Sequence, residues 1–270
     1  MKSKLSLLVS GALLLCSYSV SAADTVRIAM VKTPEYSGLM AHLSQQFTQQ
    51  TGIEVELHSS GSPHQRGVQG QADLVLSHYG KSGMEKFVMD GLGHWPTMVF
   101  ANQAAIIGPK NDPVGIRGLS APEAYKKLAA SDAKFVANQL PGPKFIDAYL
   151  HAETGVAEPL SKRSDNKAAK KRAAKVAEQQ QAYFIWGAIP FLRYADQTDS
   201  KLDILVADGA LLHRVMATSV VRADKVNGVN EALAKQFEAF LIRPDTQAQI
   251  AAYRSMGSDR QLWWPYGRHN

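Results

Sequence analysis

The sequence predicts an α/β protein built from two lobes that are joined by two hinge strands. Short apolar runs bounded by glycine and proline, such as the one at 73–77, are typical of strands in a sheet that is covered on both faces. Amphipathic helices alternate with these runs in two separate blocks of the chain. Two longer apolar strands, at 98–107 and 214–221, connect the blocks and predict a hinge that lets the lobes close over a ligand.

The first block consists of three strand–loop–helix units. Its apolar runs predict strands at 26–30, 53–57 and 73–77, and its amphipathic patterns predict helices at 39–50, 65–70 and 84–90. Gly52 ends the first of these helices as a C′ glycine does. The loops at 32–37, 59–62 and 77–79 follow the three strands, so we expect them to meet at one edge of a parallel sheet.

The second block repeats this alternation less regularly. Strands are predicted at 134–137, 182–186 and 202–206, and helices at 121–130, 144–153, 167–181 and 190–195. Two further helices, at 229–241 and 245–253, precede a tail rich in tryptophan and tyrosine that we expect to pack onto a lobe. The predicted boundaries are 23–104 and 218–270 for lobe 1, and 105–217 for lobe 2.

The first 22 residues are predicted to be a secretory signal peptide. Lys2 and Lys4 form a basic start, an apolar run follows at 5–16, and small residues suited to cleavage stand at 20–22. Cys16 is the only cysteine, so the mature chain would have no disulfide and no thiolate metal site. Because Leu15 stands where a lipid anchor requires a small residue, we predict an unanchored periplasmic protein.

Composition excludes several classes of function. The net charge of +6 suits an anion ligand but also an ordinary soluble protein. The basic run at 162–175 contains no aromatic residue, so a solvated helix explains it better than nucleic-acid binding. No Gly-x-Ser-x-Gly, His-Glu-x-x-His or Walker sequence is present, and the histidines lack metal-ligand spacing. We therefore predict neither an enzyme nor a cofactor.

The strand-end loops of the first block supply most candidate ligand residues, because unpaired backbone N–H groups converge there. They are Lys32, Thr33, Tyr36, Ser37, Ser60, Gly61, Ser77 and His78. Five of them have an alternative structural explanation. Ser37 fits the N-cap of the next helix, turn chemistry explains Ser60 and Gly61, and Lys32 and His78 are equally compatible with solvated loop positions.

The second block adds two pairs of candidates. Asn138 and Gln139 follow a short strand and begin a turn-rich loop, where their amides would donate to a ligand. Trp186 and Gly187 end another strand, and the indole would pack against an organic ligand. The alternative for Trp186 is a core position, because an aromatic side chain buries a large area.

Three stretches of the sequence carry a resemblance to a known family. SGLMAHLSQQFTQQTGIEVEL, QADLVLSHYGKSGMEKFVMDGLGHWPTMVFANQAAIIGPKNDPVGIRG and FEAFLIRPDTQAQIAAY resemble the periplasmic substrate-binding proteins of ABC transporters, in their tungstate-binding branch. The resemblance runs over nearly all of the mature chain and is strongest at 37–118. It implies a two-lobed type II periplasmic-binding-protein fold that delivers a small solute to a membrane permease.

The ligand loops depart from the pattern of that branch. Its hydroxyl-rich first loop is reduced here to Thr33, its Arg-Gly-Asp-Asp-Ser-Gly-Thr-like loop is replaced by NQLPGP at 138–143, and its threonines after a later strand give way to Trp186. A dry oxoanion needs convergent donors, ideally with one charge-assisted bond.

Two functions therefore stay open. The first is an exported, monomeric solute-binding protein that captures an oxoanion such as tungstate or molybdate for an ABC importer. The second keeps the fold in a periplasmic sensing or interaction protein with a different organic or anionic ligand.

Overall fold

The computed structural model describes residues 24–207, 209–257 and 259–267, so the predicted signal peptide lies outside the described residues. The strands are β1 (Thr25–Met30), β2 (Glu54–Ser59), β3 (Leu74–His78), β4 (Thr97–Pro109), β5 (Phe135–Val136), β6 (Tyr183–Gly187), β7 (Leu202–Val206), β8 (His213–Val220) and β9 (Trp264–Pro265). The helices are α1 (Lys32–Tyr36), α2 (Leu39–Thr51), α3 (Pro63–Val68), α4 (Met84–Met89), α5 (Ala121–Ala129), α6 (Pro141–Thr154), α7 (Lys171–Gln180), α8 (Ala188–Thr198), α9 (Gly209–Leu212), α10 (Glu231–Leu241) and α11 (Pro244–Ala252), with a 3-10 turn at Leu160–Arg163.

The predicted parallel sheet of the first block is confirmed. β1 lies between β2 and β3 and pairs with both in parallel, and the three carboxyl ends finish close together because Met30 lies beside Ser59 and beside Leu76. β8 then pairs antiparallel with β3, and β4 pairs antiparallel with β8. The loops after β1, β2 and β3 therefore share one edge of the sheet.

The two predicted hinge strands are also confirmed, as β4 and β8. β4 pairs with β8 over Thr97–Gln103 and then with β6 and β7 over Ala104–Pro109, so a single strand takes part in both sheets. The predicted lobe boundaries, at 104/105 and 217/218, fall within these two strands. The boundaries themselves stay a prediction.

Each sheet is covered by helices on both faces. In the first lobe, α2 and α10 bury a core that includes Phe47, Phe237 and Leu76, while the opposite face packs Val75 against Phe87. In the second lobe, α5 and α6 cover one face, and α7 and α8 cover the other. Apolar runs without alternation follow from this two-sided burial.

The chain's aromatic tail packs onto the first lobe, as predicted. Trp263 is fully buried, lies 5.0 Å from the Phe100 ring centroid, and donates from Nε1 to Ser37 Oγ at 3.0 Å. The sequence analysis did not predict β9, which pairs with β4 at Phe100 and Ala101.

Two predicted loops are wrong because they are helical. Lys32–Tyr36 forms α1, and α6 begins at Pro141 although we predicted its start at Lys144. Pro34, Pro141 and Pro143 favour loops in these two segments when only the sequence is considered. A proline in the first helical turn loses nothing, however, since the N–H groups of that turn have no partner within the helix.

Across 24–207, 209–257 and 259–267, no helix combines the length and the apolar character that crossing a bilayer requires.

Candidate functional site

The loop after β1 forms α1 and places its four candidate residues differently. Lys32 is exposed, and Thr33 is half-buried. Tyr36 lies beneath Arg193 of α8, whose Cζ is 4.1 Å from the ring centroid. Ser37 is buried and binds Trp263, and its Oγ also donates to the Pro34 carbonyl at 3.2 Å. Tyr36 thus lies toward the second lobe's helix, while the Ser37 hydroxyl is engaged within the first lobe.

The loop after β2 is held by its own hydrogen bonds. The Ser60 N–H donates to the Met30 carbonyl at 2.8 Å, and its hydroxyl accepts from the Ser62 N–H at 3.2 Å. Gly61 is exposed, and a Cβ added to it would meet nothing within 4 Å. Turn chemistry accounts for both residues, and their role toward a ligand stays a prediction.

Ser77 and His78 end β3, yet their side chains point to opposite faces of the sheet because successive strand residues alternate. Ser77 is fully buried, and its Oγ lies 3.3 Å from Nε2 of His64 in α3. His78 faces the other way, on the side of its pairing partner Met216. The two residues therefore belong to different environments, and only His78 shares a face with the hinge-strand residues described below.

Asn138 and Gln139 use their amides to hold the loop before α6. Asn138 Nδ2 donates to the Ile185 carbonyl, and its Oδ1 accepts from the N–H groups of Leu140 and Lys170. Gln139 Nε2 donates to the carbonyls of Ala137 and Asn166. These side chains fix the path of the chain into α6, and ligand contact by them stays a prediction.

Trp186 occupies a core position, the alternative that its size favoured. It is 6% exposed and packs against Phe184 and Tyr194 at ring-centroid distances of 6.3 and 6.4 Å. Gly187 precedes α8 and lies against the Pro190 ring. The indole therefore offers a ligand little surface in this arrangement of the lobes.

Arg214 is the residue that the sequence analysis missed. It lies near the start of β8, opposite Asn102 of β4, and its side chain is only partly exposed. Within the described residues it has no hydrogen-bond or carboxylate partner, and burial lowers the pKa of its guanidinium. A lone arginine inside a strand that otherwise reads VMATSVV is the signal that would have identified it.

The Arg214 guanidinium lies against the first turn of α6, which belongs to the second lobe. A Cβ built on Gly142 would come within 2.9 Å of Arg214 Cζ and Nη1. Pro141 and Pro143 have no N–H, so Gly142 carries the only backbone donor of the first three helical positions. A cation at the positive end of a helix dipole is unfavourable on its own. An anion between the two would be stabilised by both.

Unsatisfied polar atoms lie on the same face as Arg214. His78 Nε2 and Asn102 Oδ1 are buried and have no hydrogen-bond partner within the described part of the chain. Asn102 is directly opposite Arg214, and His78 is opposite Met216, which lies two residues further along β8. Orphaned buried polar atoms cost free energy, so their grouping around a cation marks a site that a polar ligand would complete.

The described residues contain no group of three or more histidine, cysteine or acidic side chains placed to hold a metal ion. The arrangement around Arg214 is that of an anion site, with one guanidinium, one imidazole, one amide and one helix N-terminus.

The comparisons with known proteins agree with a two-lobed binding fold. The solved structure of the tungstate-binding protein TupA from Desulfovibrio alaskensis G20 is 25% identical, has a TM-score of 0.76, and covers 91% of this chain and 100% of that chain. The structure of the tungstate ABC transporter from Geobacter sulfurreducens, at 24% identity, shows the same fold with a TM-score of 0.70, covering 86% of this chain and 100% of that chain.

A curated relative and a family assignment extend this result to the sequence. The tungstate-binding protein TupA of Peptoclostridium acidaminophilum is 28% identical over 238 residues, which cover 86% of this chain and 82% of the relative. The family described as bacterial extracellular solute-binding protein matches residues 28–253. Since that match spans most of the chain, the protein belongs to the bacterial extracellular solute-binding proteins.

Proposed function

We propose that this protein captures a small tetrahedral oxoanion, of the tungstate or molybdate type, between its two lobes and delivers it to an ABC importer. The proposal rests on the Arg214 guanidinium, which lies between the lobes without an acidic partner among the described residues. A buried cation that lacks a counter-ion is costly, and a bound anion removes that cost.

Arg214 also supplies the charged hydrogen-bond donor that the ligand loops lack. The loop at 138–143 lacks the arginine that the tungstate-binding branch places there. Here a guanidinium from the hinge strand β8 reaches the first turn of α6, which begins within that loop. Charge-assisted bonds from a planar guanidinium suit tetrahedral oxoanions, because two N–H groups can reach two oxygens at once.

The geometry favours binding over catalysis. An oxoanion held by Arg214, the Gly142 N–H and the His78 ring would contact both lobes, so closure and binding would be coupled. The named relatives are tungstate-binding proteins. We infer that the chain works as a periplasmic monomer, that a membrane permease is its partner, and that the loop candidates Lys32, Thr33 and Tyr36 line the same cleft.

Thermal denaturation with tungstate, molybdate, phosphate and sulfate tests the assignment. A ligand that binds only the folded state stabilises it by about 2.7 kcal/mol at a hundredfold excess over Kd, so the melting temperature should rise with at least one of these anions. No shift with any of the four would contradict the oxoanion assignment.

A pair of arginine variants tests the site. Arg214→Gln should abolish the shift, since an uncharged amide cannot replace the guanidinium. Arg172→Gln, an exposed position on α7 of the second lobe, should leave it intact. Unchanged binding by Arg214→Gln would show that the ligand lies elsewhere.

A further inference from the structure

His78 is a buried titratable group beside Arg214, and the proposed function does not say in which protonation state it binds the anion. Its Nε2 is buried and has no hydrogen-bond partner among the described residues. Leaving such an atom unsatisfied costs about 1–3 kcal/mol. A buried histidine whose Nε2 lacks a partner, at a strand end beside a ligand cleft, can bind a polar ligand that enters the cleft.

The register of the sheet places His78 on the same face as Arg214. His78 pairs with Met216, and Arg214 lies two residues from Met216 on β8, so the two side chains are diagonal neighbours. Diagonal positions on one face of an antiparallel pair have Cβ atoms roughly 7–8 Å apart. A tetrahedral anion placed between the guanidinium and the imidazole is within reach of both.

The charges around His78 are all positive. Arg214 acts on it from β8 and Lys81 from the loop after β3, while the Asn102 side chain on β4 lies within hydrogen-bonding range of the ring and acts in the opposite direction, raising its pKa. Burial, and after it the Arg214 charge, lowers the pKa of His78 to about 3. The ring is therefore neutral at physiological pH without a ligand.

His213 is a separate group. As the residue before Arg214 it points to the other face of β8, where its ring lies 4.4 Å from the Trp264 ring centroid.

We propose that His78 takes up one proton from solvent when the site binds a dianionic oxoanion, so that an imidazolium and the Arg214 guanidinium together balance its two charges. This inference rests on the proposed function. The only covalent change is the new N–H bond on the ring. A dianion held by one guanidinium would leave a net negative charge in a closed cleft, which is unfavourable, and a nearby anion favours the charged form of histidine.

The consequence is a selectivity that depends on pH. Between the ligand-free and ligand-bound pKa values of His78, each bound dianion brings one proton with it. Affinity for the dianion should then rise up to about tenfold for each unit by which pH falls in that window. A monoanion of similar size is already balanced by Arg214, so it should bind with little or no proton uptake.

Isothermal titration calorimetry of the full chain with tungstate measures this uptake directly. Titrations at about pH 6 to about pH 8, where histidines commonly change charge, are run in two buffers of different ionisation enthalpy. The difference in observed heat gives the protons taken up per ligand, and we expect a value that approaches one as pH falls. In His78→Gln, which keeps a donor but cannot titrate, binding should persist with no uptake and little dependence on pH.

The control variant is His151→Gln, in the last turn of α6, which should retain the wild-type uptake. Tungstate binding by the wild type without proton uptake would overturn this inference and leave the proposed function standing. Uptake that survives in His78→Gln but is lost in His213→Gln would also overturn it, since the wrong histidine would have been assigned. No binding of tungstate, molybdate, phosphate or sulfate by the wild type would overturn both proposals.

Discussion

The Arg193 guanidinium lies over the Tyr36 ring, with Cζ 4.1 Å from the ring centroid, and so joins α8 of the second lobe to α1 of the first. Nearby, Ile189 of the same helix is fully buried in the core of the first lobe. The lobes are therefore held together on the α1 side by this cation–π contact and by apolar side chains of α8, which include Ile189 and Leu192.

Replacing Arg193 by alanine should weaken ligand binding, because it removes a contact that the closed lobes make. An exposed cation–π contact contributes about 0.5–1 kcal/mol, which corresponds to roughly two- to fivefold in Kd. Calorimetry with tungstate gives the Kd values, and small-angle scattering should show a more open ligand-free ensemble. Arg172→Ala serves as the matched control, and an equal loss of affinity in both variants would contradict a role in closure.

Gly142→Ala should reduce oxoanion affinity with little loss of stability. The added methyl would lie 2.9 Å from the Arg214 guanidinium, a flexible group that can move aside. Alanine is favoured over glycine within helices by about 1 kcal/mol, which offsets the crowding. Urea unfolding should thus be nearly unchanged while Kd rises severalfold. Wild-type affinity in this variant would mean that the guanidinium position does not matter for the ligand.

Ser37→Ala should destabilise the protein by about 1–3 kcal/mol, because it leaves the buried Trp263 indole N–H without its acceptor. Ser44→Ala is the matched control, since the Ser44 hydroxyl is buried and has no partner among the described residues. Urea unfolding measures both. The same variant tests the prediction that Ser37 contacts the ligand, since a rise in Kd beyond the loss of stability would support that contact.

Glu231 should contribute to stability only above acidic pH. Hydrogen bonds from Lys235, from the Ala223 N–H and from His94 lower its pKa from 4.5 to about 2. The unfolded chain therefore binds a proton first as pH falls, and the stabilisation present above about pH 4.5 is lost progressively toward pH 2. Melting curves over this range should show Glu231→Gln less stable at neutral pH and less sensitive to acid than the wild type.

Glu85→Gln is the control for that experiment, because Glu85 is exposed on α4 and has no ion-pair partner within the described residues. A wild-type acid profile in Glu231→Gln would show that the Lys235 and His94 contacts do not stabilise the fold.

Local pattern was sufficient to predict the fold but not the site. Apolar runs, the glycine after α2 and the two long strands led to the order of elements, the parallel sheet and the hinge. α1 was predicted as a loop and the start of α6 was placed three residues late, because proline normally opposes helix and only its position within the first turn reverses that rule. The strand predicted at 73–77 extends one residue further in the structure, to His78. Because successive side chains of a strand point to opposite faces, Ser77 and His78 then lie on different faces of the sheet.

Arg214 was out of reach for a different reason. Its meaning depends on Gly142, which lies 72 residues earlier in the chain, and on the lack of an acidic partner among the residues that the structure describes, neither of which a local pattern records. Most candidate ligand residues come from strand-end loops, because ligand donors commonly follow strand ends in α/β sheets. Here the strongest candidate lies near the start of a hinge strand and reaches the first turn of α6.

The Trp264 ring lies against the His213 ring, so the intrinsic fluorescence of Trp264 can report on the region beside Arg214. Of the four tryptophans, Trp95 is 75% exposed, and Trp186 and Trp263 are buried in lobe cores, so none of these three borders the residue beside Arg214. The Trp264 indole, by contrast, touches the residue adjacent to Arg214, and its emission should change when the charge in the cleft changes. Ligand capture can then be followed in real time by intrinsic fluorescence, without any label.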